Sequence, residues 1–141
     1  LSLYFKQHRP TYYALLDRVR RDGDWEAWLA FFLDGVRVTA EGAVSTADRL
    51  TRMFGADRAR IEPTGRRAGS ALRVHEALKT RAISSMSEVA RITGLSFPAV
   101  SSAMDLLIEM RIARELTGKL RNRLFVYDDY LGILNEGAEP A

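Results

Sequence analysis

Residues 86–127, MSEVARITGLSFPAVSSAMDLLIEMRIARELTGKLRNRLFVY, hold the pattern that decides the fold. Ser85 or Ser87 is placed to cap a short helix, in which Val89, Ala90 and Ile92 supply the inward face. Thr93-Gly94-Leu95 breaks it, with Gly94 supplying the turn and Leu95 plugging the angle between two helices. Ser96 then caps a longer helix whose first turn tolerates Pro98. In that helix Val100, Ala103, Met104 and Leu107 recur at i, i+3, i+4 and i+7, the spacing of one buried face. Ile112–Leu116 and Arg123–Tyr127 alternate apolar and polar residues across the turn-forming, basic stretch 117–122. Two helices joined by a tight turn and followed by a hairpin are the parts of a winged helix-turn-helix.

Working outward, Ala71–Arg81 carries Leu72, Val74, Ala77 and Leu78 on one side and reads as the first helix of that module. Ile83 is placed to start a short strand, and 128–135 reads as a closing helix before a frayed 137–141 tail. Upstream, Glu62–Ser70 (EPTGRRAGS) lacks apolar periodicity and is expected to be a linker. Residues 1–9 resemble the end of a helix. Thr11–Arg21 is a helix closed by Gly23, and Asp24 is the N-cap of a long one. In that long helix Trp25, Leu29, Phe32, Val36, Ala40, Ala43, Ala47, Leu50 and Phe54 step by three or four, with one slip near Thr39–Ala40. Trp28 and Phe31 widen the apolar face. Gly35 and Gly42, seven apart, suggest either the close approach of another backbone or a weakened, solvent-facing turn. The expected fold class is therefore mainly α: a helical stem over 1–61, a linker over 62–70, and a winged helix-turn-helix with a small β-hairpin wing over 71–136.

Composition narrows the function. The 141 residues contain no cysteine, which excludes a disulfide framework and thiolate metal ligands and fits a reducing cytoplasm. His8 and His75 belong to no ligand-spaced cluster, so packing is their expected role. A net charge of +3 permits nucleic-acid binding without demanding it. No apolar run approaches the roughly 20 residues of a membrane span. No phosphate loop or nucleophile–base pair is visible, so no catalytic, cofactor or metal residue is assigned. The candidate nucleic-acid-binding residues are Lys119, Arg121, Asn122 and Arg123 on the wing, Ser96, Ser101 and Ser102 on the third helix, and Arg66 and Arg67 in the linker. The cations suit phosphate, whereas serines are weak base readers and Asp105 opposes phosphate. Two functions fit: DNA binding, or a protein-interaction and dimerisation module. An apolar stem predicts a homodimer formed through it.

A family resemblance adds a further expectation. Residues 2–36, SLYFKQHRPTYYALLDRVRRDGDWEAWLAFFLDGV, resemble the segment that follows the active-site motif in bacterial Fic-family proteins. Residues 94–137 resemble the winged-helix tail of many of them. The most specific pieces are YFKQHRPTYY, GDWEAWLAFFL and RNRLFVYDDYLGILNEG. Such proteins typically transfer AMP from ATP to a hydroxyl side chain of a target protein. Their His-Pro-Phe-x-Asp/Glu-Gly-Asn-Gly-Arg motif is absent, and His8-Arg9-Pro10 has no glycines after it. The resemblance thus implies a non-catalytic C-terminal fragment that begins at Leu1. ATP, a divalent metal and the catalytic domain would belong to an upstream part of the same protein.

Overall fold

The computed structural model describes residues 1–119 and 122–136. The order of elements is α1 (Ser2–Gln7), α2 (Arg9–Asp22), α3 (Trp25–Ile61), a 3-10 helix (Glu62–Arg67), α4 (Ala68–Thr80), β1 (Ile83–Ser85), α5 (Met86–Thr93), α6 (Phe97–Glu109), β2 (Arg114–Glu115), β3 (Leu124–Val126) and α7 (Asp128–Asn135). The chain divides into two compact units. One comprises residues 1–48, the other starts at Arg49, and α3 contributes to both.

In the first unit the helix ends follow their local chemistry. Gly23 takes a left-handed conformation (φ 66°) and returns its N–H to the Val19 carbonyl. Asp24 accepts the Ala27 N–H at 3.2 Å and also pairs with Arg18, so one carboxylate caps α3 and ties it to α2. Tyr4 and Phe5 of α1 lie against Phe31, and Phe5 also meets Trp28 and Phe32. Tyr4 donates to Asp34 at 2.9 Å. Gly35 is buried for this reason: a Cβ there would stand 2.7 Å from Tyr4 Cδ1. The close approach expected at Gly35 is thus made by an aromatic ring of the same chain. Gly42 is exposed and has nothing of its own chain within 4 Å of its Cβ position, which fits a solvent-facing turn.

The second unit is the winged helix-turn-helix. Its sheet is antiparallel in the order β1-β3-β2, with Ser84 opposite Phe125 and Glu115 opposite Phe125 on either side of β3. Ser85 accepts the Glu88 N–H at 3.2 Å and caps α5, while Gly94 (φ 65°) ends it. Val74, Leu78, Val89, Val100, Met104, Leu107 and Phe125 are fully buried in one core, with Leu95 packed against it. Ile61 at the end of α3 is in the same core. The stretch read as a linker is helical: the 3-10 helix covers 62–67 and α4 begins at Ala68. Pro63 sits in the first turn of the 3-10 helix, where its missing N–H costs nothing.

Two local expectations need correction. Ile92 is 41% exposed because it lies off the core face of α5, which is formed by Met86, Val89 and Thr93. Ser96 occupies the N-cap position of α6, but its side chain makes no capping hydrogen bond. The hairpin strands are also shorter than their sequence pattern. Ile112 and Ala113 are buried before β2 begins, and Tyr127 lies beyond β3.

A buried polar chain fastens α3 and α4 to the end of β3. The Tyr127 hydroxyl donates to Asp57 Oδ2 at 2.6 Å and lies 3.1 Å from His75 Nε2. Since the phenol proton goes to Asp57, the imidazole must donate through Nε2. Nδ1 is then a bare lone pair, and it is buried with no partner. Asp57 also pairs with Arg60 at 2.8 Å. Burial, followed by the Asp57 bond, pushes the Tyr127 phenol far above its ordinary value. Burial holds the His75 imidazole below its usual range.

Candidate nucleic-acid interface

In a winged helix-turn-helix, α6 is the helix that enters a groove, led by its N-terminal turn. Here that turn exposes Phe97 (59%) and leaves Ser102 and Asp105 facing solvent, with Ser101 half-buried. The wing lies across from it. A cleft of about 450 Å3 between them is lined by Ser85, Met86 and Ser87 from the start of α5, Phe97 and Ser101 from α6, and Asn122 and Arg123 from the wing. Three hydroxyls, one amide, one guanidinium and one aromatic ring therefore converge, and no carboxylate is among the lining residues. Asn122 has a left-handed backbone (φ 53°), a conformation asparagine tolerates, which turns the chain into β3.

The cations differ in how available they are. Arg123 donates to Glu115 at 2.6 Å and lies over the Phe125 ring at 5.0 Å. That guanidinium holds the Glu115 carboxyl below the usual carboxylate range. Arg114 at the base of the wing pairs with Asp128 at 2.6 Å. Lys119 is exposed. Arg121, also expected to contact phosphate, lies outside the described residues.

The structure brings together Ser101, Asn122 and Arg123 of the sequence-derived set, and Phe97 joins them. Ser96 stands at the start of α6, and Ser102 faces solvent one position past Ser101. Arg66 and Arg67 do not join the group. Arg67 reaches Glu109 at 3.4 Å, at the far end of α6, about 18 Å of helix from Phe97 at 1.5 Å per residue. Ser87 and Met86 were not foreseen in the cleft. They are contributed through β1, whose pairing with β3 brings Ser85 opposite Leu124 and the start of α5 beside the wing. Among the described residues no group of three or more His, Asp or Glu side chains is arranged to hold a metal ion. No helix among them is long and apolar enough to cross a membrane.

Comparison with known proteins gives no family assignment: no protein-family model matches the chain. No curated protein matches it either. Solved structures do. A cysteine-to-serine mutant of MarR from E. coli complexed with operator DNA is similar with a TM-score of 0.38 and 15% identity, over 64% of this chain and 69% of that one. The oxidised form of E. coli MarR gives 0.37 and 14% over the same shares. A MarR family transcriptional regulator from Silicibacter pomeroyi DSS gives 0.38 and 16%, over 87% of this chain and 84% of that one. These neighbours are MarR-type regulators rather than Fic proteins, and with no family model or curated protein matching, the Fic resemblance is corrected. The expectation of an upstream AMP-transfer domain loses its support with it.

Proposed function

We propose that the winged module binds duplex DNA, with α6 in the major groove and the wing on the phosphate backbone, in the service of transcriptional control. The observation that carries this reading is the cleft between the first turn of α6 and the wing, whose described lining holds three hydroxyls, an amide and the Glu115-paired guanidinium of Arg123 and no carboxylate. The operator complex of the E. coli regulator agrees in kind but, at that similarity, adds no weight. The side chains also set the style of binding. Between Phe97 and Glu109, α6 has no Arg, Lys, Asn or Gln, so bidentate reading of guanine or adenine is missing from it. Binding is then dominated by phosphate contacts and shape, with Phe97 available to the methyl group of thymine. In a fluorescence-anisotropy titration, the chain binds a labelled random duplex in low salt. Joint replacement of Lys119, Arg121 and Arg123 by Ala weakens binding on every sequence tried. No binding in low salt refutes the proposal.

A second reading, a protein-contact module, is favoured by one observation: Arg123 and Arg114 are engaged by Glu115 and Asp128, which reduces the charge the wing offers to phosphate. A chain that fails to bind DNA in any salt while its fold is intact selects this alternative.

A further inference from the structure

The apolar face of α3 in the first unit consists of two stripes. Trp28, Phe31, Phe32 and Gly35 are covered by α1 and α2. Beside them Leu29, Leu33, Val36, Ala40, Ala43 and Ala47 follow one another in steps of four, three, four, three and four. With Leu33 taken in place of Phe32, the steps from Leu29 to Ala47 carry no slip near Thr39–Ala40. This second stripe is left on the surface: Trp25 is 60% exposed, Leu29 51%, Leu33 62% and Val36 42%, and Val44 beside it is 62% exposed. A sustained alternation of three and four has a period of 3.5, the repeat of a helix that meets another helix along a supercoiled seam.

We infer that this stripe is the seam of an antiparallel two-helix coiled coil formed with a second copy of the chain. Three observations select that occupant. The exposed seam and its flanking Trp25 and Val44 amount to on the order of 600 Å2 per copy, so two copies bury about 1,200 Å2, the lower bound of a stable interface. Size complementarity sets the direction. In antiparallel order about a two-fold axis near residue 38, Leu33 of each copy faces Ala43 of the other, and Val36 faces Ala40. Every large side chain then meets a small one, as close packing requires. Parallel order would instead stack leucine on leucine at one end and alanine on alanine at the other, splaying the helices. Charge agrees with this. Arg37 already pairs along its own helix with Asp34 at 2.7 Å and Glu41 at 2.9 Å. About that axis the antiparallel order brings Arg37 of one copy level with uncharged Thr39 of the other, whereas parallel order brings the two Arg37 side chains level with each other.

The seam stands independently of DNA binding, and the test keeps the two apart. In sedimentation equilibrium the full chain runs at twice its 15.9 kDa mass, and Leu33→Glu reduces it to the monomer. Leu33 is exposed, so the variant keeps the helical circular dichroism of the wild type. Because the chain has no cysteine, direction can be read by cross-linking. Leu33→Cys and Ala43→Cys proteins are mixed, allowed to exchange, and oxidised with copper phenanthroline. The expected product is a disulfide-linked heterodimer, with neither variant cross-linking by itself, since like positions lie about 15 Å apart along the axis. A wild-type monomer at high micromolar concentration overturns the inference. So does cross-linking of Leu33→Cys with itself, or a dimer that yields no mixed product.

Discussion

Replacing Tyr127 by Phe tests how the polar chain in the winged module contributes to its stability. The ring is retained, and with it the contacts to Phe54 and Tyr130 at centroid distances of 5.7 and 6.0 Å. Only the hydroxyl is lost. Asp57, 6% exposed, then keeps Arg60 but loses its donor at 2.6 Å. His75, 1% exposed, is left with neither ring nitrogen paired. A hydrogen bond to a charged group contributes about 1.5–3 kcal/mol, and an orphaned buried polar group costs about 1–3 kcal/mol. Relaxation of the two side chains offsets part of the sum, so a loss of about 2–3 kcal/mol is expected. In urea, at an m-value of about 1–2 kcal/mol/M, the midpoint of the winged module falls by roughly 1–2 M with the slope unchanged. Circular dichroism at a helix wavelength follows it. A loss below about 0.5 kcal/mol would show that the hydroxyl bonds no better to these groups than to water, and the argument from buried pairing would fail.

Three further outcomes follow from the same geometry. His75 is neutral in the fold because burial opposes its charge, with Lys79 and Arg58 adding to that and Asp57 and Glu76 working against it. Its folded value is depressed below the ordinary 6.5, so between the two values the unfolded chain holds more protons and stability falls as pH drops through that window. His75→Gln flattens that fall in urea titrations between neutral and mildly acidic pH. Gly35→Ala puts a methyl group against Tyr4 and loosens α1 by about 1–3 kcal/mol, read as a lower melting temperature and a changed Trp28 fluorescence. Ser85→Ala removes the α5 cap and costs about 1 kcal/mol in thermal unfolding.

Much of the local structure in both units was readable because its determinants are local. The spacing of Val100, Ala103, Met104 and Leu107, the caps at Ser85 and Asp24, and the left-handed Gly23 and Gly94 each lie within a few residues of what they control. Where sequence reading failed, the cause lay far along the chain. Gly35 was read as the approach of another backbone or as a solvent-facing turn, because its neighbour, the Tyr4 ring, is 31 residues away. Asp57, Tyr127 and His75 are joined across 70 and 52 residues, and no periodicity announces such a chain. The basic wing looked freely cationic in sequence, yet Arg123 is engaged by Glu115 eight residues earlier. Ser87 entered the cleft through strand pairing between β1 and β3, which spacing along α5 does not reveal. The Fic resemblance rested on similarity of stretches rather than on residues with a chemical role, and so nothing local could check it.

The most direct test of the central claim, that the winged module binds duplex DNA through its wing and α6, is the salt dependence of that binding. Anisotropy titrations of a labelled duplex between about 50 and 200 mM salt yield a slope of log affinity against log salt, and each phosphate contact contributes about −0.9 to it. The account predicts a clearly negative slope for the wild type. It also predicts a slope shallower by about one unit or more when Lys119, Arg121 and Arg123 are replaced together, with Phe97→Ala weakening binding at nearly unchanged slope. A wild type that does not bind, or a wing variant with the wild-type slope, would contradict it.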